Sequence, residues 1–447
     1  MTDAGSLPSG GPTREEIAKV EIGHTDVSPS VARGLTAFFL AALVAVPLIE
    51  IVVPRLMPAG ERPTVWTTLG RIPGDVSTAV ADAERAGASS WSRIVTANRT
   101  TMSGLVAFED ALESESVLGH ALRPSAQRLL SGWLGAGNEQ VYVGRRDEDG
   151  ARWLFYRPDL EYLTNQGFLE DHVLRRRVAA ASELTTLPQP DPRPAILAFH
   201  RELEALGAVL VIVPTPVKPG IHPEQLVPSI DAGAEAIQNS SYGELVQWLD
   251  GQGILTFEPG AGLLAARRSG PQYLATDTHW RPEAMELAAS ELAAFISANV
   301  ALPAQDPPGY TIEQQEIVNA GDTAVMLDLS ETQELYPPET VLIRRVVGPD
   351  GTVWRSSRDA GVLVLGDSFS NIYSLASMGW GDSAGFVEHL SFALRRPVDR
   401  IVQNADGAYA TREMLQREGA ARLAGKRVVV WQFAARELAF GDWKVFE

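Results

Sequence analysis

The apolar positions of this 447-residue chain change their rhythm from one region to the next. Residues 1–33 are polar, carry Gly, Pro and Ser, and predict a loose tail. From Gly34 to Val53 the chain reads GLTAFFLAALVAVPLIEIVV, apolar throughout except for Glu50 near its end. A helix of that length spans roughly 30 Å, the thickness of a bilayer core. A core helix of a soluble domain would keep a polar stripe, and this run has none, so the pattern predicts a membrane span. Between about 63 and 135 the spacing turns helical, as in Ile94, Ala97, Met102 and Leu105, and predicts a helical stalk or cap over 54–135.

Beyond residue 135 short apolar runs alternate with helix-length stretches. Val141–Gly144 and Arg152–Tyr156 predict a hairpin turning over Asp147-Glu148-Asp149-Gly150. Ala208–Val213, Ile254–Phe257, Val362–Leu365, Arg400–Val402 and Val428–Trp431 predict strands, the continuous ones buried on both faces. Ala195–Leu206, Tyr242–Asp250 and Pro282–Asn299 predict helices, the last with a stripe of Met285, Ala288, Leu292 and Phe295. Strands alternating with helices predict an α/β domain with a mainly parallel sheet over 136–447.

Composition narrows what such a chain does. With 38 Lys+Arg against 56 Asp+Glu, the formal charge is −18. That argues against nucleic-acid binding, which needs a basic face, and means that a polyanion would need a locally basic groove. The chain has no Cys, which rules out disulfides, thiolate zinc sites and a Cys nucleophile. A cleavable signal peptide fits poorly, since 33 residues precede the apolar run and no A-x-A-like site follows it. Charges flanking the run nearly balance, so the positive-inside rule barely orients it. A short N-terminal tail before a large C-terminal domain favours a cytoplasmic tail at 1–33 and an exported domain.

Two local patterns suggest chemistry. At Leu363-Val364-Leu365-Gly366-Asp367-Ser368 a buried strand runs into Gly-Asp-Ser, and ligands of open α/β sheets sit at the carboxyl ends of strands. A second copy, Gly381-Asp382-Ser383, follows no strand and reads as a loop. Ser370 stands where a nucleophile elbow would need its second Gly, and the bland reading of the first copy is a turn with Asp367 capping the next helix. A serine hydroxyl needs a base. Of seven His residues, His279 stands out, in a short polar loop before a helix and two positions after Asp277. An Asp at that spacing can accept the imidazole Nδ1 proton. An isolated Asp-x-His is also compatible with a plain loop hydrogen bond, while metal ligation lacks a second His or carboxylate cluster at metal spacing. No metal or cofactor is therefore expected. Gly260-Ala261-Gly262-Leu263-Leu264-Ala265 fits a dinucleotide fingerprint, but Pro259 breaks the strand-to-turn junction and no apolar strand leads into Asp277.

GDSFS at 366–370 and DTHW at 277–280 resemble the motifs of the SGNH-hydrolase-like domain of the alginate O-acetyltransferase family (AlgJ/AlgX type). WLFYRPDLEYL at 153–163, VPTPVKPGIHPEQL at 213–226, GDTAVML at 321–327 and NADGAY at 404–409 support the resemblance, which covers roughly 105–440. In ordinary SGNH esterases Gly-Asp-Ser comes early and the Asp/His pair late. Here Asp-x-His precedes Gly-Asp-Ser by about ninety positions, the permuted order of this family. The resemblance implies Ser368 as nucleophile, His279 as base and Asp277 as its orienter. It also implies a periplasmic domain, anchored in the inner membrane, that acetylates an exopolysaccharide with acetyl groups from a membrane-bound acyltransferase partner. Asn404 is a candidate oxyanion donor, and Lys218, Tyr373 and Arg436 are candidate substrate contacts. A carbohydrate acetylesterase and a non-catalytic polysaccharide-binding component of an export complex are the competing readings.

Overall fold

The computed structural model describes residues 28–446 except 59–62, 64, 147–149, 151, 181–186, 231–232, 234, 331–332 and 405–406. The expected tail up to residue 27, most of the hairpin turn and part of NADGAY lie outside these residues. The chain divides into two compact units, 1–122 and 123–447.

In the first unit the apolar run becomes the helix Pro29–Leu56, longer at both ends than its apolar stretch. Ser28 caps it, and Pro29 occupies the first turn, where a missing N–H costs nothing. The helix is long and apolar enough to cross a membrane, with a mean hydropathy of 2.5 in its best window. Glu50, the one acid in the run, is buried. Its carboxylate accepts hydrogen bonds from Ser116 Oγ (2.7 Å), Leu118 N (2.9 Å) and Val117 N (3.2 Å). It thus satisfies the orphan N–H groups that open the helix Val117–Leu129. Val65–Arg85 and Ser90–Glu115 pack as a helical hairpin, with Ile72 filling the space that a side chain at Gly104 would need.

Among the described residues, the second unit holds nine strands in chain order. They are β1 (Val141–Arg146), β2 (Arg152–Tyr156), β3 (Val209–Thr215), β4 (Leu255–Thr256), β5 (Thr311–Asn319), β6 (Glu339–Val347), β7 (Val362–Gly366), β8 (Asp399–Val402) and β9 (Val428–Ala434). The central sheet is parallel throughout, in the order β4-β3-β9-β7-β8. Alternate residues of each strand serve opposite faces, as the pleat requires. Val211, Val213, Val362, Val364, Val428 and Val430 face the helices Pro282–Asn299 and Phe386–Leu394. Leu210, Ile212, Leu363, Leu365, Val429 and Trp431 face Pro192–Ala205, Tyr242–Gly251 and Tyr409–Glu418. Burial on both faces explains the unbroken apolar runs in these strands.

Two antiparallel pairs flank this layer. The β5/β6 ribbon has no counterpart in the sequence reading, because TIEQQEIVN is largely solvent-exposed and carries no apolar face to betray a strand. The second copy of Gly-Asp-Ser lies in a loop, with Gly381 at φ +98° and Asp382 paired to Arg345 at 2.8 Å.

Candidate active site

Strand β7 ends at Gly366. The following Asp367 is extended and caps the short helix Ser368–Asn371 through its carboxylate, which accepts from Phe369 N at 2.9 Å. The same carboxylate accepts from Gln432 Nε2 (2.9 Å) and Ala434 N (2.6 Å) on β9. Gln432 in turn accepts from Ser370 Oγ at 2.6 Å and donates to Thr215 Oγ1 of β3 at 3.0 Å. Three neighbouring strands are thereby locked together under Ser368. Gly366 serves this arrangement by its missing side chain, not by an unusual dihedral. The place of a Cβ is taken by Ser370, with Gln432 Oε1 close by.

The loop carrying His279 is held from three sides. The carboxylate of Glu339 accepts from Ala275 N, Thr276 N and Thr276 Oγ1. Tyr273 bridges Trp280 across the loop, and Trp280 Nε1 donates to Phe369 O at 3.1 Å. Lys218 is fully buried, and its ammonium donates to the carbonyls of Leu154, Ala275 and Asp277 at 2.5, 2.8 and 3.1 Å.

Across eighty-nine residues of chain, His279 Nε2 lies 2.8 Å from Ser368 Oγ. On its other side Nδ1 lies 2.7 Å from Asp277 Oδ1, which also accepts from His279 N at 3.0 Å. With the Nδ1 proton held by the carboxylate, the Nε2 lone pair faces the serine hydroxyl. Burial by itself would lower the imidazole pKa, but the charge and hydrogen bond of Asp277, helped by Asp322, leave it raised. For Asp277 burial acts upward, and the His279 charge and hydrogen bonds overcome it, leaving the carboxyl below its ordinary value.

Two partners of Asp277 were not legible in the sequence. Trp380 Nε1 donates to Asp277 Oδ2 at 2.9 Å, and it comes from the loop of the second Gly-Asp-Ser. Asp322 N donates to the same oxygen at 3.1 Å, while the Asp322 carboxylate accepts from Thr278 N at 2.7 Å and from the Thr278 hydroxyl. Asp322 Oδ2 also stands 3.6 Å from His279 Nδ1. Gly321 allows this approach, since a side chain there would overlap the Thr276 carbonyl. The signal was present as GDTAVML but showed no chemistry of its own. Burial and the neighbouring Asp277 push the Asp322 carboxyl up to about 6.

Asp277, His279 and Asp322 lie close enough to suggest a cation site. The donor set does not fit one. Both oxygens of Asp277 are turned toward N–H groups, four in all, which a cation would have to displace.

The other expected site residues divide. Lys218 does not line a substrate surface: it braces the Asp-x-His loop from beneath, and burial lowers its pKa to about 8. Tyr373 is also fully buried, donating from its hydroxyl to Trp280 O at 2.7 Å. Both expectations came from residue type, which does not reveal which way a side chain points. Arg436 lies just beyond β9 with its guanidinium 5.9 Å from the Phe369 ring, and it pairs with buried Asp159 at 2.9 Å. Asn404 follows β8, exposed, its Oδ1 accepting from Asn371 Nδ2 at 2.8 Å.

The bracing role of Lys218 gives a stability prediction. Lys218→Met removes the donor for three carbonyls, two of them in the loop. It should cost about 3 kcal/mol, read as a lower urea midpoint at unchanged slope. An unchanged midpoint would show that the loop holds without this brace.

Residues 151–435 match the family model described as "SGNH hydrolase-like domain, acetyltransferase AlgX". The chain belongs to this family. Among curated relatives, "Probable alginate O-acetylase AlgJ" of Pseudomonas syringae pv. tomato is 27% identical over 243 residues, covering 53% of this chain and 59% of the relative. The protein of the same description from Pseudomonas aeruginosa is 29% identical over 250 residues, covering 54% and 62%. The chain thus spans about three fifths of the length of these relatives. The solved "O-Acetyltransferase Domain of Pseudomonas putida AlgJ" superposes with a TM-score of 0.51 at 22% identity, covering 68% of this chain and 93% of that one. At that identity the likeness establishes a shared fold.

Proposed function

We propose that this chain is a polysaccharide O-acetyltransferase that carries acetyl groups on Ser368. The observation that carries the reading is the continuous chain Asp277–His279–Ser368 at the carboxyl edge of the sheet, where substrates of open α/β sheets bind. The family membership and the acetylase names of its relatives support it.

In the first half-reaction His279 Nε2 takes the Ser368 proton as Oγ attacks the carbonyl carbon of an activated acetyl donor. A new Oγ–C bond forms, the bond to the donor's leaving group breaks, and His279 returns the proton to that group. In the second half a sugar hydroxyl gives its proton to His279, attacks the acetyl-serine, and releases Ser368 with its proton restored. Asp277 holds the ring in the tautomer that both halves need and stabilises the imidazolium between them. The developing oxyanion calls for aligned donors, and the Ser368 N–H and the Asn404 side chain are our candidates. Arg436 is the candidate contact for the acceptor.

We further propose that the helix Pro29–Leu56 spans the inner membrane and places the catalytic unit in the periplasm. A membrane-bound acyltransferase partner would supply the acetyl groups there. No cofactor is invoked.

The reading is tested with the full chain in detergent and a chromogenic acetyl ester. A burst of chromophore should accompany one added acetyl group on the peptide bearing Ser368. Supplying oligosaccharide should then yield acetylated sugar by mass spectrometry. Chromophore release without an adduct on Ser368 would defeat the proposal; an adduct that only water discharges would make the chain an esterase.

The mechanism also predicts a pH effect at Asp322. Above about pH 6 this carboxylate is ionised and supports the protonated imidazole. Asp322→Asn keeps an acceptor for Thr278 but removes the charge, so His279 should lose its proton more easily. The acidic limb of the kcat/KM profile should therefore move to lower pH. A profile that stays in place would show that the Asp322 charge does not reach the base.

A further inference from the structure

A cavity of about 830 Å³ runs along the free edge of the central sheet. Its lining combines residues of Tyr242–Gly251 from one face of the sheet with Phe295 and Asn299 from the other. It reaches Pro216, just past the carboxyl end of β3. Ile212 of β3 and Leu365 of β7 both stand level with Trp431 of β9, and all three strands run parallel, so Pro216 and Ser368 emerge on the same edge of the sheet. Two strand spacings separate them, roughly 10 Å.

The lining has a consistent chemistry. Glu235, Asp250 and Glu258 are exposed carboxylates, Gln247 and Asn299 offer amides, and half-buried Phe295 and Val246 offer apolar surface. No Lys or Arg occurs among the described lining residues. Strand β4 ends the strand order, so its outer main-chain groups face this groove without a strand partner among the described residues. Thr256 Oγ1, on the same strand, is buried with no hydrogen-bond partner among them.

We infer that this groove is a distal acceptor subsite and that the acceptor is an uncharged polysaccharide, not a polyuronate. The inference rests on the acetyltransferase reading of Ser368. Three carboxylates without a lining cation repel a chain that carries a carboxylate on each sugar. Sugar hydroxyls, by contrast, donate well to carboxylates and exchange hydrogen bonds with amides and free main-chain groups, while a ring face settles on Phe295. The net charge of −18 acts in the same sense at long range. Arg436, near Ser368, already has its charge engaged by Asp159. A peptide added as a strand is a poor occupant, because two-residue β4 is too short to template one.

The test compares acetyl acceptance by the full chain, at low salt, from a neutral β-glucan oligosaccharide and from a mannuronate oligosaccharide of equal length. The neutral acceptor should be used and the mannuronate one not. Gln247→Trp fills the groove from an exposed position. It should raise KM for the long neutral acceptor about tenfold, the worth of one or two lost hydrogen bonds, with kcat and the ester burst unchanged. A monosaccharide acceptor, too short to reach the groove, should not notice the change. Preference for the mannuronate acceptor, or an unaltered KM in Gln247→Trp, overturns the inference while an intact burst leaves Ser368 as the acetyl carrier. Loss of the burst in the unaltered protein removes both.

Discussion

Ser368→Ala should lower turnover of a chromogenic acetyl ester by about 10³- to 10⁶-fold and abolish the burst, the range seen when a covalent nucleophile is removed. Neither of the other serines in the two Gly-Asp-Ser segments can take its place. Ser370 is fully buried with its hydroxyl committed to Gln432, and Ser383 lies in a separate loop at φ +56°. The fold should be unaffected, since Ser368 is only partly buried and its side-chain hydroxyl bonds to His279 alone among the described residues. Thermal unfolding should therefore match the parent protein. Retention of more than a tenth of the turnover would remove Ser368 from the mechanism.

Asp277→Asn is expected to be nearly as severe, with a loss of about 10⁴-fold in kcat, the scale reported for the equivalent change in serine-protease triads. Its damage has two parts. The amide cannot hold the imidazolium as a carboxylate does, so the acidic limb of any residual activity should shift to lower pH. Four N–H donors also converge on the two oxygens of Asp277, and an Asn must turn its NH₂ toward one pair of them. That conflict should cost about 2–4 kcal/mol in chemical denaturation.

The pH dependence of stability has a definite sign. Asp277 is depressed in the folded state, so the stability it contributes is present above its unfolded value and lost as pH falls through the folded one. The parent should lose this contribution below about pH 4, and Asp277→Asn should lack it at every pH. Equal stability of parent and variant at pH 7 would show that the converging donors do not depend on the charge.

What sequence alone determined was local or periodic. The apolar run 34–53 is legible as a long helix because a run of that length and polarity stands out from its composition alone, without reference to any partner. The parallel strands are legible because burial on both faces leaves them apolar at every position, as in β7 and β9. The Asp277–His279 contact is legible because two residues of separation bring those side chains together within one loop.

Long-range packing decided the rest. The apolar strand before the first Gly-Asp-Ser already set it apart from the second in the sequence, but the Gln432 clamp beneath Ser368 exists only in three dimensions. Trp380 and Asp322 meet Asp277 from 103 and 45 residues away, at distances no local pattern encodes. Lys218 and Tyr373 looked like substrate contacts by residue type, and the fold turned both inward to hold the loop. Sequence determined which groups were present and which neighbours they could reach locally. Tertiary structure decided which faced one another, because that depends on the register of β3, β9 and β7 and on loops closing over their ends.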